Sequence, residues 1–203
     1  MEAYMGKTVV GIVGSYRKGG AIDTAVEAVL AGARERGAAT HTIYLMEQHI
    51  EFCQNCRACT QEPGQHRGQC PQNDDLQAIL LEIDAADGVV LGSPVNYGNA
   101  TALYRRFLER LLGASYWPWG QAAPKARTKA TPRKAVVVAS SAMPGFLIPL
   151  TTGALRALKS GATMLGARTV GQMCIGLVSQ TPQPELSART LARARRLGQR
   201  LAA

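Results

Sequence analysis

Two stretches of this chain carry residues whose types and spacing can do chemistry. The first is Gly14-Ser15-Tyr16-Arg17-Lys18-Gly19-Gly20, which lies between an apolar run, Thr8 to Val13, and a helical pattern from Asp23 to Arg36. A strand, a glycine-rich basic turn and a helix form an anion cradle. Backbone N–H groups in the turn and at the helix start converge, and the helix dipole favours negative charge there. Ser15 and Thr24 add hydroxyl donors, and Arg17 and Lys18 add charge. The loop is therefore expected to hold a phosphate. Its spacing matches neither G-x-x-x-x-G-K-S/T nor G-x-G-x-x-G, so the nucleoside-triphosphate and dinucleotide fingerprints are not supported.

The second stretch holds four of the five cysteines, as Cys53-x-x-Cys56-x-x-Cys59 followed by Cys70, with His66 in the last interval. In an intracellular protein such a cluster reads as metal-binding or redox-active rather than as a disulfide framework. Two x-x steps bring three thiolates within reach of one centre, and Cys70 can close a four-cysteine [4Fe–4S] site. Zinc held by four cysteines, or by three cysteines and a histidine, competes with that reading, and so do four free thiols. Cys174, inside an apolar run, reads as a small core residue.

The elements that must position these stretches alternate. Residues 7–13 are short, β-branched and continuously apolar, as in a strand buried on both faces. The helix after the first loop places Ile22, Ala25, Val26, Val29, Leu30 and Ala33 on one face and ends at Gly37. Thr40 to Leu45 reads as the second strand. Asp74 and Asp75 offer N-cap oxygens to a helix carrying Leu76, Ile79, Leu80 and Ile83. Gly88 to Gly92 is a third strand, running into the turn formers Ser93 to Asn99 and then a helix with Leu103, Phe107, Leu108, Leu111 and Leu112. Residues 113–133 read as a long irregular connection. Ala135 to Ala139 is a fourth strand, ending in the loop Ser140 to Gly145. A helix from Pro149 to Leu165, a fifth strand from Arg168 to Ile175 and a terminal helix from Pro184 to Leu201 complete the chain.

This alternation predicts an α/β fold over residues 1–203 as one domain: a doubly wound five-stranded parallel sheet, order 2-1-3-4-5, with helices on both faces. Ligands of such sheets bind outside the carboxyl ends of the strands, at the switch point. The loops after strands one, three and four are neighbours in this order, so one shallow cleft is expected there.

Composition narrows the classes. The 203 residues are 46% apolar and 18% charged, with a net charge of +9. Much of the excess lies in Lys125, Arg127, Lys129, Arg133 and Lys134, and in Arg189, Arg193, Arg195, Arg196 and Arg200, read here as a solvated loop and a solvated helix face. Aromatic residues make up 5% and do not alternate with the basic ones, which argues against a stacking platform for nucleic acid. No apolar run is long enough to span a bilayer, and Met1 to Tyr4 lacks the pattern of a secretion signal. A cytoplasmic location is expected.

Taken together, Gly14-Ser15-x-Arg17-Lys18-x-Gly20, the cysteine run, Asp74-Asp75, Ala86-Asp87-Gly88, Ser93-Pro94-Val95 and Arg105-x-Phe107-Leu108-Glu109-Arg110 resemble the flavodoxin-like NAD(P)H-dependent FMN reductases, and within them the iron–sulfur flavoproteins. The resemblance spans residues 7–180. It implies a flavodoxin-like fold, bound FMN, NAD(P)H as co-substrate, an electron acceptor that is a small molecule or a protein, and assembly as homodimers or homotetramers. By position, Ser15, Arg17, Lys18 and Gly20 would surround the FMN phosphate, with Thr24 as a further hydroxyl. Pro94, Val95, Asn96, Tyr97, Gly98 and Asn99 would edge the isoalloxazine ring, and Ser140, Ser141 and Ala142 would line its other side. Hydride delivery to a flavin needs no protein acid or base, so no catalytic side chain is assigned. The chain departs from the family at Tyr16, where proline is usual, at Ala21-Ile22, where a small polar pair is usual, and in a longer interval between Cys59 and Cys70. The third loop also lacks the usual paired glycines. Lys125, Arg127 and Lys129 are candidates for a 2′-phosphate contact. The competing functions are an iron–sulfur electron carrier fed by a ferredoxin and a flavin-binding module without turnover.

Overall fold

The computed structural model describes residues 6–127, 133–181 and 183–203. Lys129 and the N-terminal Met1 to Tyr4 therefore lie outside the described residues. Five strands, β1 (Thr8–Val13), β2 (Ala39–Tyr44), β3 (Gly88–Asn96), β7 (Lys134–Ser140) and β8 (Arg168–Ile175), form a parallel sheet in the order β2-β1-β3-β7-β8. This is the expected 2-1-3-4-5 arrangement. A short strand, β4 (Asn99–Ala100), folds back antiparallel on the end of β3.

The continuous apolar strands separate by period two into two cores. Val10, Ile12, Val89, Leu91 and Val137 face α2 (Leu76–Ala85), α3 (Ala102–Glu109) and α5 (Ala154–Met164). Val9, Val13, Val90, Val136 and Val138 face α1 (Ala21–Arg34) and α6 (Ala188–Ala202). The two helices of the second layer touch backbone to backbone. A Cβ at Gly198 would lie 1.7 Å from the Val29 carbonyl oxygen, and one at Gly32 would lie 2.0 Å from that of Arg195. Gly198→Ala should thus push α6 off α1 and destabilise the fold by about 2–3 kcal/mol. Calorimetry should register a melting temperature lower by about 5–10 °C; an unchanged value would refute this packing.

Three stretches differ from the sequence expectation. The helix expected from Pro149 is broken. A short turn, α4 (Ile148–Thr151), ends at Thr152 in extended conformation (φ −129°, ψ 156°), and α5 starts afresh at Ala154. In a continuous helix the Gly153 N–H would bond inside the helix; here it donates to the Gly98 carbonyl at 2.7 Å and ties α5 to the loop after β3. The terminal helix starts at Ala188 rather than at Pro184, because the Ser187 hydroxyl caps it by accepting the Thr190 N–H at 3.2 Å. Finally, the connection expected to be irregular holds a 3₁₀ turn, Arg110–Ala114, and a small antiparallel ladder, β5 (Ser115–Tyr116) with β6 (Lys125–Ala126).

Candidate functional site

The loop after β1 is held open at the sheet's carboxyl edge by bonds to its neighbours. The Gly14 N–H donates to the Gly92 carbonyl at 2.8 Å, and the buried Thr101 hydroxyl donates to the Gly14 carbonyl at 2.6 Å. Thr101 also caps α3 by accepting the Tyr104 N–H. Its position just before the α3 pattern was the available signal for this role, and the sequence reading did not use it. Within the loop, the Ser15 Oγ accepts the Arg17 N–H at 3.1 Å. Gly19 turns in the left-handed region (φ +70°), where only glycine is unstrained. Its N–H donates to Asp23 Oδ2 at 2.6 Å, while the Tyr44 hydroxyl donates to Oδ1 at 3.0 Å. Burial, and then the Asp23 carboxylate beside it, pushes the Tyr44 phenol up to about 12.

Helix α1 begins at Ala21, after the N-cap Gly20, which provides no side-chain cap. The first-turn amides of α1 are therefore open to an outside acceptor. That is the arrangement a phosphate requires.

These elements enclose a cavity of about 430 Å³ lined by loops from four strand ends. Of the residues named from sequence, it brings together Ser15, Arg17, Gly20, Pro94, Val95, Asn96, Ser140, Ser141 and Ala142. Tyr16, Ala21 and Ile22 also line it, so the two departures in the first loop face the cavity. The fourth wall, Val178, Ser179 and Pro184, was not anticipated. It arrives because the segment after β8 is laced to the loop after β7. The Ser141 N–H bonds the Ile175 carbonyl at 2.9 Å, and the Val178 N–H bonds that of Ser141 at 3.3 Å.

Five named residues are not part of the lining. Lys18 is ion-paired with Glu47 and stands over the Tyr44 ring at 4.3 Å. The Thr24 N–H bonds the Gly20 carbonyl within the first turn of α1. Tyr97 has a fully exposed side chain on a left-handed backbone (φ +46°). Gly98 accepts the Gly153 bond, and the Asn99 side chain accepts the Ala100 N–H at 2.8 Å.

The cysteine segment packs on the β5–β6 ladder. Arg57, left-handed at φ +58°, has its guanidinium between the Trp117 and Trp119 rings at 3.9 and 4.2 Å. Arg127 is a correction to the sequence reading. It is neither solvated nor open to a ligand phosphate, because its buried guanidinium donates to the carbonyls of Gly113, Ser115, Glu62 and Cys59. Arg133 is likewise drawn in, onto the carbonyls of Ala86, Leu165 and Asp84. Asp75 makes no side-chain cap to α2; it accepts the His49 N–H at 2.7 Å. Asp74 accepts the N–H groups of Leu76 and Glu51 and pairs with the buried Arg110 at 2.5 Å. Arg110 also donates to the Cys70 Sγ at 3.4 Å.

Cys53, Cys56, Cys59, Cys70 and Cys174 are all free thiols. Burial, followed by the charges of Cys70, Cys53 and Cys56, pushes the Cys59 thiol up. Among the described residues no three His, Cys, Asp or Glu side chains converge closely enough to hold an ion. His66 lines a separate cavity with Arg67, Asp84 and Arg133. The side chains as placed therefore do not fit a four-thiolate centre, and the Cys70 sulfur is instead held by the Arg110 guanidinium.

Comparison with known proteins identifies a family and several relatives. Residues 8–175 match the family described as NADPH-dependent FMN reductase. An iron–sulfur flavoprotein of Archaeoglobus fulgidus is 31% identical over 109 residues, 54% of this chain and 47% of that protein. One from Methanocaldococcus jannaschii is 35% identical over 102 residues, 50% of each. The chain thus spans about half the length of the curated relatives it matches. The structure of an NAD(P)H:quinone oxidoreductase from Methanothermobacter marburgensis superposes with a TM-score of 0.66 at 23% identity, covering 98% of this chain and 100% of that one.

Proposed function

This chain belongs to the NADPH-dependent FMN reductase family, an oxidoreductase family, and from that premise we propose that it binds FMN in the four-loop cavity. There NAD(P)H would reduce the flavin, which would pass electrons to a quinone, free flavin, metal ion or protein. The observation that carries this reading is the convergence of an uncapped helix N-terminus, Ser15 and Arg17 with the carboxyl ends of β3 and β7 around one cavity of about 430 Å³. The bound flavin would supply hydride acceptance and stepwise electron release.

The chain's own residues bind and orient. The first-turn amides of α1 and the Arg17 guanidinium would grip the phosphate dianion. Residues 94–96 and 140–142 would border the ring, where preorganised backbone dipoles favour the negative charge of reduction. With Ile22 in place of a polar residue, Ser15 carries more of the phosphate grip. Ser15→Ala removes both a hydroxyl donor and the acceptor that shapes the Arg17 turn. It should weaken FMN binding about tenfold, the order expected of one charge-assisted hydrogen bond; unchanged affinity in a fluorescence titration would place the phosphate elsewhere.

Anaerobic mixing of the FMN-loaded protein with NADH and with NADPH tests the function directly. Bleaching of the flavin band, restored by an added acceptor, is the expected result. A protein that neither carries nor binds FMN would end this reading.

A second reading, an iron–sulfur flavoprotein electron carrier that takes electrons from a ferredoxin, is favoured by the Arg110 contact to Cys70 and by the names of the curated relatives. Its [4Fe–4S] centre would need Cys53, Cys56, Cys59 and Cys70 to stand closer together than they do here. Assembly as homodimers or homotetramers is part of the proposal. It is supported by exposed Tyr97, Phe146, Leu150 and Leu177 on segments that follow β3, β7 and β8, and light scattering would test it. Among the described residues no helix is long and apolar enough to cross a membrane, in keeping with the proposed cytoplasmic location.

A further inference from the structure

Charge is divided unevenly along this chain, and the fold turns the division into a surface. From Arg110 to the end the sequence carries one acidic residue, Glu185, and 14 basic ones; the other 13 acidic residues all come earlier. That second part builds β7, the edge strand β8, α5 and α6, so its charge gathers at one end of the sheet. Helix α6 holds five arginines and no carboxylate. Arg189, Arg193, Arg196 and Arg200 recur at the helical repeat and are all exposed, which makes a stripe about 16 Å long. Like charges three and four residues apart on a helix repel one another. Arg34 on α1 and Arg105 on α3 are paired with Glu27 and Glu109, and Arg195, on the flank of α6, with Glu35 at 3.9 Å. Among the described residues the stripe has no carboxylate partner. Arg193 donates instead to the Gln172 carbonyl of β8 at 3.1 Å.

We infer that this arginine stripe is the docking surface for an electron-carrier protein with an acidic face. The inference rests on the proposed FMN-dependent oxidoreductase having a protein as its electron acceptor, and it names that partner's chemistry and the face it meets. The stripe begins five residues after Pro184, in the fourth wall of the cavity, and runs along α6 to Arg200, whose carbonyl accepts the Lys134 Nζ at 3.3 Å. A carrier seated on the first turn of α6 therefore stands beside the cavity wall. Two such carriers, taking one electron each, accept the pair that one NAD(P)H supplies, and the remaining proton goes to solvent. Other occupants fit the stripe less well. An anionic membrane needs an apolar face to bury, but Ala194, Leu197 and Leu201 of α6 are turned into the core. A single nucleic-acid strand needs rings to stack on, and α6 has none. A second copy meeting through the same face sets arginine against arginine. An acidic protein face matches in sign, and the uneven charge orients its approach before contact. Docking of this kind speeds encounter more than it strengthens binding, which suits a carrier that must leave after each electron.

The test uses the full chain loaded with FMN, NADPH as donor, and two one-electron haem proteins of opposite sign, acidic cytochrome b5 and basic cytochrome c. Titration calorimetry measures binding at low ionic strength, and haem absorbance measures reduction. The variant combines Arg189→Gln, Arg196→Gln and Arg200→Gln. It is expected to bind cytochrome b5 about tenfold more weakly, as the loss of three exposed charge contacts implies, and the difference should vanish at high salt. Its FMN affinity and its reduction of a small neutral quinone should match the wild type, since no stripe residue lines the cavity. Its melting temperature should be equal or higher, because like charges have been removed. Reduction of cytochrome c, which meets the stripe with the wrong sign, should not fall. A variant equal to the wild type towards cytochrome b5, or a wild type that reduces quinone but does not bind cytochrome b5, would overturn the inference and leave the oxidoreductase reading standing. A wild type that reduces neither haem protein nor quinone would overturn that reading as well. Tighter binding of a DNA duplex or of phosphatidylserine vesicles, lost in the same variant, would give the stripe to a polyanion and overturn the docking of a carrier. If the triple variant fails to fold, Arg189→Gln alone decides, with a loss of about twofold expected.

Discussion

Asp74→Ala is expected to destabilise the protein by about 3–5 kcal/mol, the cost of leaving a buried charge without its partner. The Arg110 side chain is fully buried and that of Asp74 is 1% exposed, so water cannot replace the lost carboxylate. Asp74 also accepts the Glu51 and Leu76 N–H groups, which fasten the start of the cysteine segment to the head of α2. Its loss should therefore free both. Burial by itself would raise the Asp74 carboxyl, but the Arg110 guanidinium and those two amides outweigh it and hold the group below the usual carboxylate range. A carboxyl lowered on folding stabilises the protein above its unfolded value, about 3.9. That contribution is lost as pH falls through the folded value. Wild-type stability should accordingly decline in acid below about pH 4, whereas Asp74→Asn should lack that component of the pH dependence. Denaturant titrations of both proteins across that range are the measurement. Parallel curves would show that Asp74 is not the anchoring carboxylate.

Arg17→Glu should weaken FMN binding about a hundredfold. The side chain is exposed on the first loop and lines the cavity, so the fold should tolerate the change. The reversal removes one attraction to a phosphate dianion and adds a repulsion, each worth about 1–2 kcal/mol at the effective dielectric of a protein surface. Because the site is partly open, the difference between the two proteins should shrink as salt is added. Isothermal titration with FMN at low and high ionic strength would measure both effects. Riboflavin, which lacks the phosphate, is the control: Arg17→Glu should leave its affinity unchanged. Equal losses for both ligands would indicate a disturbed pocket rather than a lost charge contact.

Much of the fold was legible in the sequence. The central strands β1, β3 and β7 are apolar runs, the helices carry apolar residues at helical spacing, and both patterns are local. The loop from Gly14 to Gly20 was equally plain, since its glycines and its place between a strand and a helix already describe an anion cradle. Boundaries failed where a distant partner intervened. Gly153 leaves the helical pattern because its N–H is taken by Gly98, more than fifty residues earlier in the chain. The cavity's fourth wall was missed for a related reason. Ser179 and Pro184 are unremarkable loop residues until backbone bonds from Ser141 and Val178 draw their segment over the first loop.

The arginines show the division most clearly. In the sequence, Arg57, Arg110, Arg127 and Arg133 look no different from the solvated basic residues of the terminal helix, because charge and composition carry no record of burial. The carbonyls of Cys59 and Glu62 that absorb Arg127, the tryptophan rings that enclose Arg57, and the Asp74 that pairs with Arg110 all come from segments far away in the chain. By itself, then, the sequence determined the alternating sheet, the glycine-rich turn between the first strand and helix and the presence of a four-cysteine segment, since each depends on neighbours within a few residues. Only the tertiary structure decided which strand ends meet in one cavity and which cations are buried against the cysteines, because burial is a property of what packs from elsewhere.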